Sequence, residues 1–503
     1  MYKLKSTIIL LLIVGLSGCD LLKNQEPQQS LPVNGGLDTV PELQHALTGA
    51  YNDLQTNTAN ESFGETIFGS DIIADDAVFT GSFPTFQQIA DQQMAANNGS
   101  IAAMWNGAYR DINDANIILD QLDKLKDTNA SQSTIDNIRG QALFIRALQY
   151  YYLVNLFALP SGVSQGESQM GVPLQLTPVT SSADFSKPSR SPVDSVYMQI
   201  TSDLQKAQGL LSSSNPRNQA RPGAATGMLA RIALIRHNYT DAASLANQVI
   251  QSGNYQLMPD VTTYFTNELS MESLFEIQNT VQDIPDASNT SITAVYNIGD
   301  RDDIQINSTF ANALNSELNS RQKTALSSAG ATAVDTRKSE LIVGKDSNGD
   351  LIVEQSRSNY SGGESNTNKY ESTNNQDDNI PIIRYPEILL TRAEALARTQ
   401  GINQESIDLL NQVRERAFTV NGGPQSLVDY IAADFNNQQD LIDAILLERR
   451  VELAFEGHRK TDLQRTKQDV RGLPYDSPQL VYPIPQTQID ANSNIKQNPG
   501  YGG

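Results

Sequence analysis

"RYPEILLTRAEALAR" (residues 384–398), followed three residues later by "INQESIDLLNQVRERA" (residues 402–417), sets the fold. Both stretches place large apolar residues three and four apart with alanine between them, the pattern of two helices packed on one another. The same pattern returns in "IAAMWNGAYRDINDANIILDQL" (101–122), "IRGQALFIRALQYYYLVNLF" (138–157) and "AATGMLARIALIRHNYTDAASLANQVI" (224–250). Three of these stretches carry an arginine three residues after an apolar one: Leu143 with Arg146, Met228 with Arg231, Leu389 with Arg392. Such self-similarity favours a helical repeat over unrelated amphipathic helices. Leu229 and Ala230, followed by Ala242 and Ala246, partly fit the tetratricopeptide pattern of small residues at a helix crossing. The repeats are degenerate and widely spaced. They predict a helical flank on a larger body, not a uniform solenoid.

Composition shifts between residues 281 and 371, which are rich in Asn, Ser, Asp and Gly. Within them, "ELIVGKDSNGDLIVE" (340–354) alternates as two short strands around "KDSNGD", where Asn348 and Gly349 suit a hairpin turn. Gly349 falls at the wrong position for an EF-hand calcium loop. The expected fold is therefore predominantly α-helical, with tetratricopeptide-type helix pairs on one flank and a loop-rich, partly β flank beside them.

The N-terminus reads differently. Lys3 and Lys5 precede the apolar run "IILLLIVGL" (8–16), and "LSGC" then ends on Cys19, the single cysteine in 503 residues. The run is shorter than the roughly 20 apolar residues a spanning helix needs. Basic start, apolar core and small residues before a cysteine form a bacterial lipoprotein signal. Residues 1–18 are expected to be cleaved, with Cys19 lipidated; two or three acyl chains anchor a protein stably where one does not. Residues 19–36, rich in Gln, Asn, Pro and Gly, read as a flexible tether. The ordinary secreted alternative leaves the position of the cysteine unexplained.

Net charge is −21, and removing the signal takes away two positive charges more. That balance argues against binding nucleic acid or anionic headgroups through charge. One cysteine permits neither an internal disulfide nor a cysteine zinc cluster, so apolar burial must hold the body together. No cofactor motif is present. The three histidines, His45, His237 and His458, are scattered, and no Gly-x-Ser-x-Gly elbow or phosphate loop occurs. Carboxylates are plentiful, which leaves a glycosidase pair open without supporting it.

Two further stretches carry a resemblance. In "LLERRVELAFEGHRKTDLQR" (446–465), Leu447, Val451, Ala454 and Phe455 form an apolar stripe. Glu448 and Glu452, one turn apart, need arginine partners, for which Arg449, Arg450, Arg459 and Arg392 are candidates. In "VYPIPQTQIDANSNIKQNPGY" (481–501), Pro483 and Pro485 rule out helix and central strand for "YPIPQTQID" (482–490), leaving a packed extended segment there. Together with "RYPEILLTRAEALAR", and with "MWNGAYRDINDANIIL", "IRGQALFIRALQYYYLVNLFALP" and the lipobox upstream, these resemble the SusD/RagB family of surface nutrient-binding lipoproteins across nearly the whole chain.

The resemblance implies a SusD-like fold, with residues 37–250 and 251–503 packed as one globular unit. It implies a non-catalytic lipoprotein of the outer membrane, facing the exterior, that binds oligosaccharide and acts as the lid of a SusC-like TonB-dependent transporter. Peptide capture, as in the RagB branch, is the alternative within the family; an anchored glycoside hydrolase and an envelope-assembly scaffold are alternatives outside it.

Sugars present an apolar ring face and a rim of hydroxyls, so aromatic and planar polar side chains are the residues to seek. "SDIIADDAVFTGSFPTFQQI" (70–89) offers Asp76, Phe79, Phe83 and Phe86 in what reads as a loop, at the position the resemblance gives to the ligand face. "AVYNIGDRDDIQIN" (294–307) offers Tyr296, Asn297 and Arg301. The opposite reading is that these aromatics pin their loops to the core. Trp105, the one tryptophan, sits in a helical pattern and is expected in the core. The loops carry no tryptophan, which leaves room for a peptide or a small acidic glycan.

Overall fold

The computed structural model describes residues 37–57, 61–126, 130–160, 169–282, 291–345, 351–353, 365–372 and 375–501. Cys19, the signal and the tether lie outside them, as do Asn348 and Gly349.

The predicted helices are present, each bounded by recognisable chemistry. Helix α1 spans Val40–Gln55, and α2 spans Phe63–Ile72. The short α3, Pro84–Ala90, starts on a proline. Helix α4, Gly99–Lys124, is capped by Asn98, whose side chain accepts from the Ile101 amide at 3.1 Å. Ser131 caps α5, Gln132–Phe157, in the same way. Helix α6 runs over Val193–Leu210. The single 224–250 pattern resolves into α7, Pro222–Ile235, and α8, Tyr239–Gln251, with Asn238 capping the second. The opening stretch forms α9, Tyr385–Gln400. It stops at Gly401, whose φ of 74° suits glycine, and Asn403 caps α10, Gln404–Ala417. Helix α11 spans Gln438–Glu452 and α12 spans Arg459–Arg465.

Consecutive helices pack as pairs, α4 on α5, α7 on α8 and α9 on α10, and α6 lies on both α5 and α7. The three recurring arginines share one role, a tie from one helix to another. Arg146 on α5 grips Asp203 on α6 at 2.8 Å; Arg231 on α7 grips Glu387 on α9 at 2.5 Å; Arg392 on α9 holds Glu405 on α10 at 2.5 Å and donates to the Ala243 carbonyl on α8. A bidentate guanidinium fixes both the spacing and the rotation of its partner helix. None of the described helices is long and apolar enough to cross a membrane.

The strands are short. β1 is Ala77–Phe79, β2 Ser273–Ile277 and β3 Ile304–Ile306. β4, Ile342–Lys345, pairs antiparallel with β5, Leu351–Val353, as the hairpin reading requires, and on its other side with β6, Ser365–Thr367. β7, Ile380–Arg384, pairs with β2 and leads directly into α9. One buried apolar cluster takes members from Leu37 to Ile495 and includes both halves of the sequence.

The Glu448–Glu452 pair is met by arginines, but not by the expected ones. Arg337 reaches Glu448 at 2.6 Å and Glu452 at 3.4 Å; Arg414 reaches Glu448, and Arg384 and Arg416 reach Glu452 at 3.1 and 2.5 Å. Burial alone raises a carboxylic pKa, yet these guanidinium groups hold Glu452 well below the usual range. Arg449 instead turns to Asp462, and Arg450 and Arg459 turn to the 70–89 segment. Successive helical residues point about 100° apart, so the neighbours of a glutamate in sequence serve other faces.

Candidate functional site

The two segments singled out for ligand contact, more than 200 residues apart, lie side by side. β1 pairs antiparallel with β3 in the register Ala77 with Ile306, Val78 with Gln305 and Phe79 with Ile304. Beyond the ladder, the Thr80 and Gly81 amides both donate to the Asp303 carbonyl, and the Thr80 hydroxyl donates to the Asp302 carbonyl. A Cβ at Gly81 would meet the Asp303 carboxylate and the Phe79 ring, so a larger residue here would push both side chains aside.

The strand period sorts the residues. Phe79 faces inward, while Val78 between its buried neighbours is 37% exposed. Phe86 is the hub of an aromatic cluster, edge-on to Phe68 at 5.0 Å, Phe79 at 6.1 Å and Phe83 at 6.0 Å. Phe79 and Phe86 are buried; Phe83 is half-buried and presents its ring at the surface beneath Arg301, whose guanidinium carbon lies 4.6 Å from the ring centroid. Arg301 also pairs with Asp303 at 2.6 Å.

The remaining candidates shape the face from below. Asp76, 1% exposed, is held by Arg450 at 2.6 Å, and Asp75 by Arg459 at 2.6 Å. Burial pushes Asp76 above the ordinary carboxylate range despite Arg450 and Arg459. At Asp75 burial acts in the same direction, but Arg459 and Arg450 bring it below that range. Tyr296 is 1% exposed. It stacks on Tyr370 at 5.5 Å, and its hydroxyl donates to Asp71 at 2.7 Å. Burial lifts Asp71 to about 8, with the Asp76 and Glu456 carboxylates adding to the rise. Asn297 is buried, donating to the Tyr370 carbonyl at 2.9 Å and accepting from the Gly299 amide at 2.7 Å. Of the seven side chains, Phe83 and Arg301 therefore reach the surface, and Asp76, Phe79, Phe86, Tyr296 and Asn297 build the support beneath them.

A second concavity escaped the sequence reading. A cleft of about 310 Å³ opens between α4, the segment 173–188 and the C-terminal stretch 488–495. Trp105 and Tyr109 form its floor, with ring centroids 4.9 Å apart, and Phe185, 52% exposed, stands at its edge. Trp105 is 3% exposed, so it is in the core as expected and still lines the cleft. The signal in the sequence was Phe185 itself, a lone aromatic in the polar run "SSADFSKP" (181–188).

A SusD-like family described as starch-binding and associating with the outer membrane matches residues 22–234, and the SusD/RagB family matches residues 293–501. The chain is similar to SusD-like protein P2 of Formosa agariphila, 28% identical over 99% of each chain, and to SusD-like protein P25 of the same organism, 25% identical over 92% of this chain and 90% of that one. Among solved structures, a putative sugar binding protein from Bacteroides vulgatus aligns with a TM-score of 0.73 at 25% identity, over 93% of this chain and 100% of that one. A protein described as a laminarin binding SusD-like protein shares the fold at a TM-score of 0.66, with 22% identity over 92% of this chain and 99% of that one. The helical fold, its helix pairs and these matches agree: the chain belongs to the SusD/RagB family.

Proposed function

We propose that the protein is a non-catalytic, lipid-anchored receptor that binds oligosaccharide on the Phe83–Arg301 face and delivers it to a SusC-like TonB-dependent transporter, over which it acts as the lid. The observation that carries the binding part is the pairing of β1 with β3, which brings an aromatic ring and a guanidinium together at one surface in a chain of this family. A ring face with planar hydrogen-bonding groups suits a pyranose. Asp76, Phe79, Phe86, Tyr296 and Asn297 support this face; contact with the ligand falls to Phe83, Arg301 and their exposed neighbours. The names of the similar proteins, starch-binding, sugar binding and laminarin binding, point to glycans as the ligand class.

In this account residues 37–250 and 251–503 work as one body, Cys19 carries the lipid, and residues 19–36 span from the outer membrane to the body. Cys19→Ser is expected to move the protein from the membrane to the soluble fraction. Copurification of the lipidated protein with an outer-membrane barrel tests the transporter partnership, and its absence under mild detergent counts against the lid role. Calorimetry against oligosaccharides, with Phe83→Ala beside the natural protein, tests the ligand and the face together. Binding confined to peptides would instead favour the RagB-type alternative.

A further inference from the structure

We infer that the cleft above Trp105 is a second saccharide-binding site, sized for one or two neutral sugar units and separate from the Phe83–Arg301 face. Its volume of about 310 Å³ falls at the lower end of ligand pockets. Three stretches of chain build it, and hydrogen bonds fix each to the others. The Tyr109 hydroxyl donates to the Pro173 carbonyl at 2.7 Å; the Asn113 amide donates to the Val179 carbonyl and accepts from the Val179 amide at 2.7 Å; Asn492 donates to the Pro188 carbonyl at 2.8 Å. At the base, Arg190 donates to the carbonyls of Gly171, Met170, Phe157 and Lys496, tying the strap to the end of α5 and to the C-terminal stretch. A cleft held in this way is formed before ligand arrives, which lowers the entropic cost of binding.

The chemistry of the walls selects the ligand. Asp and Glu number 57 in the chain, yet among the described residues no carboxylate lines this cleft. Its polar lining is mainly amide, from Asn106, Asn113, Gln175, Gln488 and Asn492, with one cation, Arg110. At the rim Gln488 donates to Asn106 at 3.1 Å, and each of the two amides has further donor and acceptor capacity. Amides that both donate and accept match hydroxyls, which do the same, and the charge of Arg110 is already set against the Asp53 and Asp114 carboxyls, whose pKa values it lowers. The apolar ring face of a sugar meets Phe185 and the Trp105–Tyr109 floor. The ligand class rests on the oligosaccharide reading given above; the position of the site does not.

The chain provides its own reporter, because Trp105 is its only tryptophan. The experiment follows Trp105 emission, excited at a wavelength selective for tryptophan, in the full chain carrying Cys19→Ser, during titration with di- to hexasaccharides of glucose (α-1,4 and β-1,3) and of mannose. Calorimetry is run on the same samples. The expected result is a saturable change in Trp105 emission, weakened roughly tenfold by Phe185→Ala and by Asn106→Ala, and retained in Phe83→Ala. Both pocket substitutions lie at exposed positions, so the fold is expected to survive them. Saturable heat that Phe83→Ala abolishes, with Trp105 emission unmoved throughout, overturns the second site and leaves the first standing. A Trp105 response with heat insensitive to Phe83→Ala supports the cleft and removes the Phe83 face. Silence in both readouts, or a Trp105 response only to tri- and tetrapeptides in a parallel titration, overturns the saccharide cleft.

Discussion

The Arg301 guanidinium lies 4.6 Å from the centre of the Phe83 ring while pairing with Asp303 at 2.6 Å, so one arginine joins the two segments of the face and caps its half-buried aromatic. Neither segment alone contains this arrangement; the β1–β3 ladder creates it.

A double-mutant cycle of Phe83→Ala and Arg301→Ala in chemical denaturation is expected to give a coupling of about 0.5–1 kcal/mol, the range for a partly exposed cation over a ring. Strict additivity of the two substitutions would remove the cation–ring contact from the account of the face.

The arginine ties between helices differ in burial, and the cost of cutting them should differ in the same order. Arg146→Ala strands Asp203, which is fully buried between α5 and α6, and is expected to cost about 3–5 kcal/mol in urea unfolding. Arg392→Ala frees Glu405, whose side chain is half exposed, and is expected to cost about 1 kcal/mol or less. Equal losses would mean that the recurring arginine does not act through the burial of its partner.

Stability is expected to fall as pH rises above the ordinary aspartate range. Asp71, raised to about 8 by burial, and Asp114, raised to about 7 by burial and by the nearby Asp53, both bind a proton more tightly folded than unfolded. Between the unfolded value near 4 and these folded values, the native state therefore holds the extra protons, and raising pH removes them at a cost in stability. The urea midpoint should drop from pH 5 to pH 9, and Asp71→Asn and Asp114→Asn should each flatten that slope. A midpoint that rises across the same range would contradict the assignment.

Much of the fold was legible in the sequence because helices advertise themselves locally. Apolar spacing alone placed the long helices, and the caps at Asn98, Ser131, Asn238 and Asn403 and the stop at Gly401 set their ends. The partners of Glu448 and Glu452 were not legible. They come from residues 337, 384, 414 and 416, which the fold gathers from elements distant in sequence, while the adjacent Arg449 and Arg450 point away.

The face was half legible. Composition singled out both segments, each by itself, but told neither that they would pair nor which side of each would meet solvent. In β1 the two-residue period turned Phe79 inward and the plainer Val78 outward. Tyr296 and Asn297 went to the core because the Asp71 carboxyl and the Tyr370 carbonyl needed donors there. Of the Trp105 cleft only Phe185 gave a signal, for a related reason: its walls come from three stretches whose meeting no local pattern encodes.

The most direct test of the central claim is isothermal calorimetry of the full chain carrying Cys19→Ser against a panel of oligosaccharides and peptides, repeated with Phe83→Ala and Arg301→Ala. Saturable heat for a glycan is expected, weakened roughly tenfold by either substitution. Heat of the same affinity in all three proteins, or binding to peptides alone, would contradict it.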